Sequence, residues 1–266
     1  MKLDGCNALI TGASAGIGRE LALQLARRAG AITLVARRRE RLEELRNQLL
    51  RNHADLKVHI REVNLSDPQQ MKELVCWLED KRSPIDFLVN NAGLGDVGDF
   101  ATSDPGRVQE MIEVNVRSLT LLTRALLPTM IARRRGAILN VSSSASFLPM
   151  SGFAVYAATK AYVTSFTEAL RGELRGTGVT ACSLCPGPVH TEFNAVAARG
   201  EDAESAVAPE FLHVDVARVA RAGLAAVAHD RALVIPGLAM KAGMAVVRLS
   251  PLWLLRFTSK RHAKRS

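Results

Sequence analysis

The chain has 266 residues, 48% hydrophobic and 23% charged, which suits a single α/β domain, leaves little room for a second full domain and excludes general disorder. Its net charge of +9 first suggests nucleic acid, but residues 231–266 hold eight basic side chains and no acidic one, so the body is nearly neutral. No interleaved aromatics or nucleic-acid module accompany that basic tail, and nucleic-acid binding is not expected.

In chain order, apolar β-branched runs predict strands at Asn7–Thr11, Ala31–Ala36, Lys57–Glu62, Phe87–Asn90, Gly136–Val141 and Val179–Leu184, with Arg231–Ile235 a candidate seventh. Helical patterns lie between them. Leu42, Leu45 and Leu49 recur at helical spacing in Arg38–Arg51, and Ser66-Asp67 supplies a capping signal for Pro68–Asp80. This alternation implies βαβ units, and hence a doubly wound parallel sheet of about seven strands with helices on both faces. Polar residues 195–209 break the regularity, so the segment 188–212 is expected to be a mobile lid over a substrate pocket.

The residues 238–266 form a basic, amphipathic extension in which Lys241, Arg248 and Arg256 recur at intervals of seven and eight. Two readings stay open. The stretch lies in a membrane surface, or it packs against the pocket or another subunit. It is too charge-broken to span a bilayer, and the longest uncharged run, residues 136–159, is interrupted by Asn, Ser, Pro and Gly.

Four cysteines, and a start with an acid at Asp4 and no long apolar run, predict a reducing, cytoplasmic setting. Cys182 and Cys185 are three apart in and beside a strand, which places them on opposite faces as packed thiols rather than a redox or metal pair. The six histidines (His53, His59, His190, His213, His229 and His262) lack ligand spacing. No metal is expected, and His190 is expected to border the pocket.

Directly after the first strand comes Thr11-Gly12-Ala13-Ser14-Ala15-Gly16-Ile17-Gly18, opening a helix. Glycines there allow a tight turn, close backbone approach and close helix packing, while the helix N-terminus presents amide donors suited to a pyrophosphate. At the end of the second strand stands Ala36-Arg37-Arg38 with no carboxylate. An acidic residue there would bind a ribose 2′-hydroxyl; a cation suits a 2′-phosphate, so NADP(H) is predicted with Arg37 as main contact and Arg38 helping.

With Asn90-Asn91-Ala92-Gly93, Tyr156-x-x-x-Lys160 and Pro186-Gly187 following in order, the chain resembles the classical short-chain dehydrogenase/reductase family over roughly residues 5–192. The resemblance implies cofactor contacts at Gly12, Ser14, Gly16, Ile17, Gly18, Arg37, Asn64, Leu65, Asn91, Ala92, Gly93, Tyr156, Lys160, Pro186, Gly187, Val189 and Thr191. Asn64 departs from the family's usual Asp, losing charge but keeping hydrogen-bonding capacity. Tyr156 and Lys160 share a helical face, and a fixed ammonium should lower the phenol's pKa toward a working range. Ser143, thirteen residues before Tyr156, matches the family's catalytic serine, and Asn115 its helix asparagine that holds a water linking Lys160 to solvent.

The expected activity is hydride transfer between NADP(H) and a carbonyl or secondary alcohol of a hydrophobic substrate, in a homodimer or homotetramer. The rival reading is a catalytically silent NADP(H)-binding sensor or scaffold of the same fold.

Overall fold

The computed structural model describes residues 3–79, 84–197 and 212–251. Seven parallel strands form one sheet in the order β3-β2-β1-β4-β5-β6-β7, namely Asn7–Thr11 (β1), Ala31–Ala36 (β2), Lys57–Glu62 (β3), Phe87–Asn90 (β4), Gly136–Val141 (β5), Val179–Leu184 (β6) and Leu233–Val234 (β7). Six of the seven coincide with the apolar runs. The central strands β1, β4 and β5 are buried throughout, as expected of strands covered on both faces. β7 is shorter than the 231–235 run because the Arg231 amide still donates to Ala226 O at 2.8 Å, closing the preceding helix.

One face carries Gly16–Leu25 (α1), Arg39–Asn52 (α2) and Val216–Ala228 (α8), packed against Ile10, Ile32, Leu34 and Leu139. The other carries Pro68–Glu79 (α3), Pro105–Ile112 (α4), Leu119–Ala132 (α5) and Ala154–Glu173 (α6), packed against Leu9, Leu88 and Ile138. Asp67 caps α3 as its sequence suggests, accepting from Gln69 N and Gln70 N at 2.8 and 3.1 Å. Cys182 and Cys185 are free buried thiols.

The remaining helices are Glu192–Ala197 (α7) and Leu238–Leu249 (α9). Of the expected lid, residues 198–211 lie outside the described residues, as do residues 252–266 of the extension. The first turn of α9 is held to the body at Met240, 6% exposed, whose side chain fills the space beside Gly187. Further along, Val246 and Leu249 are exposed. Among the described residues no helix is long and apolar enough to cross a membrane.

Strand order reverses between β1 and β4, whose neighbours β2 and β5 lead to opposite sides. A crevice opens at the carboxyl ends of the strands there, where ligands bind in sheets of this kind.

Candidate active site

That crevice is a cavity of about 510 Å³ running from the glycine loop to Tyr156. Its nucleotide end is shaped by backbone contact. Gly12 and Gly16 have φ of +65° and +53°, left-handed conformations that favour glycine. A Cβ on Gly12 would come within 2.7 Å of Asn91 Nδ2, so the loop lies directly against the Asn91–Gly93 turn. Two latches hold them together. Asn91 Nδ2 donates to Thr11 O and Gly12 O at 2.9 and 3.2 Å, while Thr11 Oγ1 accepts from both Asn91 N and Ala92 N at 3.0 Å.

Gly18 is a packing glycine: it faces Asn91 and the Gly12 carbonyl, and does not line the cavity. α1 is preceded by Ala15, which offers no side-chain cap, and has no acidic residue in its first turn, which suits a pyrophosphate on its amides. The cradle therefore fits the nucleotide that the sequence implies.

Arg37 and Arg38 both line the cavity but have different partners. Arg37 Nη1 is held 2.7 Å from Glu110 on α4, whereas Arg38 Nε and Nη2 reach Ser14 Oγ at 3.4 and 3.2 Å, over the glycine loop. Of the two, Arg38 is the one hydrogen-bonded to the glycine loop, through Ser14. Asn64 and Leu65 line the adenine side, and Asn64 Oδ1 is engaged by Ser66 N and Ser66 Oγ at 3.2 and 2.8 Å.

At the chemical end, β5 delivers three consecutive serines and only the second aims at Tyr156. Ser142 Oγ is turned away to Lys160 O and Thr164 Oγ1, at 2.9 and 2.7 Å, and the Ser144 amide donates to Pro186 O at 2.8 Å. Ser143 Oγ accepts from Ala145 N at 3.1 Å and lies close enough to the Tyr156 phenol to oppose the rise in its pKa. Lys160 lies one helical turn beyond, 4% exposed, its Nζ donating to Val141 O at 3.0 Å and standing 5.7 Å from the Tyr156 ring centre.

One expectation is overturned. Burial pushes the Tyr156 phenol up to about 12, with the Ser143 hydroxyl pulling the other way. The same desolvation pushes the Lys160 ammonium down to about 8, opposed by the Cys185 thiol. The pKa of the phenol is therefore raised rather than lowered, because Phe153 and Phe193 enclose its ring at 6.1 and 5.4 Å and Lys160 is directed at the Val141 carbonyl.

Asn115 sits in a π-helical segment, Glu113–Ser118, where the ladder of hydrogen bonds changes register. Its side chain is 1% exposed and fully engaged: Oδ1 accepts from Leu94 N at 2.8 Å, and Nδ2 donates to Leu94 O and Thr159 Oγ1 at 2.9 and 3.0 Å. This amide fixes the segment after Gly93, whose own Cα faces Lys160 Nζ and Asn115 Oδ1.

Pro186, Gly187, Val189 and Thr191 also line the cavity. His190 does not; it stacks at 4.2 Å on His213, which does. Among the described residues no group of three or more His, Cys, Asp or Glu could hold a metal ion. Sequence reasoning missed the apolar wall made by Val97, Met150, Phe153, Phe193 and Val196. The aromatic positions beside the Tyr156 motif and after Thr191 were the available signal.

Residues 6–202 match the family model described as short chain dehydrogenase. The chain is 36% identical over 197 residues to a short chain dehydrogenase of Pseudocercospora fijiensis, a match covering 73% of this chain and 63% of that protein, just under two thirds of its length. It is 35% identical over 207 residues to the NADP-dependent 3-hydroxy acid dehydrogenase of Escherichia coli K12, covering 74% and 78% of the two chains. The fold superposes on a short-chain dehydrogenase from Sphingobium yanoikuyae in complex with NADPH, with a TM-score of 0.82 and 30% identity over 91% of this chain and 92% of that one. Seven parallel strands, the glycine cradle and this family match lead to one conclusion: the chain belongs to the short-chain dehydrogenase family.

Proposed function

We propose that the protein is an NADP(H)-dependent oxidoreductase that interconverts a carbonyl and a secondary alcohol on a hydrophobic substrate, with Tyr156 as the acid and base. The observation that carries this reading is the convergence of Ser143, Tyr156 and Lys160 on the same cavity as the glycine loop. Its five apolar wall residues favour an apolar substrate body.

α1 and its glycine loop would hold the pyrophosphate, Arg38 with Ser14 the 2′-phosphate, Lys160 the nicotinamide ribose, and Pro186, Gly187, Val189 and Thr191 the nicotinamide. The chemistry supplied by the bound nicotinamide is hydride exchange at its C4 with the substrate's oxygen-bearing carbon. Ser143 Oγ holds the substrate oxygen. In reduction Tyr156 passes its phenolic proton to that oxygen as negative charge develops there; in oxidation it takes the proton back. A protonated phenol is the form needed to donate, and Lys160, when charged, steadies the phenolate left behind. Asn115 holds the 93–94 backbone against Lys160 and so positions the amine.

The choice of NADP(H) is supported by Ala36-Arg37-Arg38 and by the NADP-dependent E. coli and NADPH-bound Sphingobium relatives. A panel of apolar ketones and alcohols with each nucleotide tests it. Turnover with NADPH is expected, with Arg38→Ala raising the Kd for NADPH about tenfold or more and leaving NADH binding little changed; Arg37→Ala should do less. Equal affinity of the unmutated protein for NADH and NADPH would contradict this.

A further inference from the structure

Arg38 has a second partner besides Ser14. Its Nη1 is 2.7 Å from Glu192 Oε2, and the other oxygen of the same carboxylate lies 3.3 Å from Arg41 Nη1. Glu192 opens α7, and the next residue, Phe193, sets its ring, tilted by 48°, 5.4 Å from that of Tyr156. The far end of α7 is fastened separately. Val97 N donates to Ala197 O at 2.9 Å, and Arg107 Nη2 bridges Gly95 O and Val196 O at 2.8 and 3.2 Å.

We infer that Glu192 is a specificity-determining residue whose carboxylate stands where the cofactor's 2′-phosphate must bind, so that the phosphate displaces it from Arg38 and thereby releases the first turn of α7. The inference rests on the NADP(H) reading above. A carboxylate and a phosphate compete for the same guanidinium face, and a phosphate monoester, carrying more charge and more acceptor oxygens, wins. The pair to be broken is weak enough to yield: both side chains are 45% exposed, the regime in which ion pairs contribute little. Arg38 and Arg41 keep the Glu192 carboxyl below the usual carboxylate range, so the competitor is ionised at neutral pH.

A nucleotide without the 2′-phosphate has no reason to dislodge Glu192. Discrimination between the two cofactors is therefore tied to the position of Phe193 over Tyr156, linking the two ends of the cavity through adjacent residues.

The test uses the full chain and two probes that differ by one group, adenosine 2′,5′-bisphosphate and adenosine 5′-monophosphate, with calorimetry and hydrogen exchange as readouts. Glu192→Gln should tighten bisphosphate binding about two- to fivefold, the range of an exposed ion pair, and leave monophosphate binding unchanged. In the unmutated protein the amides of residues 193–196 should exchange faster with the bisphosphate than with the monophosphate, and in Glu192→Gln this difference should vanish. A folded Glu192→Gln protein with unchanged or weaker bisphosphate affinity overturns the inference while leaving the cofactor reading intact. An unmutated protein that binds both probes equally overturns the cofactor reading, and the inference with it.

Discussion

Lys160 is an amine buried for function at a cost in stability. Its proton affinity falls from 10.5 to about 8 on folding because burial disfavours the ammonium. Between those values the unfolded chain binds more protons than the folded one, so stability rises with pH across that window and is lowest below it. Replacing Lys160 with Met should therefore help most at neutral pH. The advantage of the variant at pH 7 should exceed its advantage at pH 10 by about 2–3 kcal/mol, by the linkage of roughly 1.4 kcal/mol per pKa unit, while turnover is lost. Urea unfolding of both proteins at the two pH values measures this, and an equal difference at both would show that Lys160 is not desolvated. The four-residue spacing of Tyr156 and Lys160 was legible in the sequence. The direction of the phenol's shift was not, because it is set by burial under Phe153 and Phe193, the latter 37 residues further along on another helix.

The inner strands were readable because buried parallel strands are continuous apolar runs, as in β1, β2, β4, β5 and β6, whereas the edge strand β3 was readable by the alternation of Val58 and Ile60 with polar residues. α7 was hidden by its length, since six residues are too few for a helical period to emerge. Pairings such as Arg38 with Glu192, 154 positions apart, have no local signature at all. The joint between the β1–α1 and β4–α4 units depends on Thr11, whose hydroxyl accepts from Asn91 N and Ala92 N and donates to Val89 O at 3.3 Å. Thr11→Val keeps the shape and removes the acceptor. We expect a loss of about 2 kcal/mol from the amides left unpaired, together with weaker nucleotide binding as Asn91 loosens from Gly12. Denaturant midpoints and nucleotide titration check both; a variant as stable and as tightly binding as the parent would mean that the Asn91 side-chain bonds suffice alone.

Across the whole molecule, the sheet's reversal between β1 and β4 brings together groups widely separated in the chain. The first βα turn carries phosphate-binding geometry, the end of β5 brings Ser143, and α6 brings Tyr156 and Lys160, all facing one cavity. This convergence was foreseeable in outline from motif order, whereas the apolar wall was not, because it is assembled from two loops and a short helix. The catalytic assignment is tested most directly by Tyr156→Phe, assayed for turnover on any accepted ketone and for NADPH affinity by calorimetry. Loss of turnover by about a thousandfold or more is predicted, as for removal of the acid–base group, with NADPH affinity within about twofold of the parent. Turnover close to that of the parent would contradict the account.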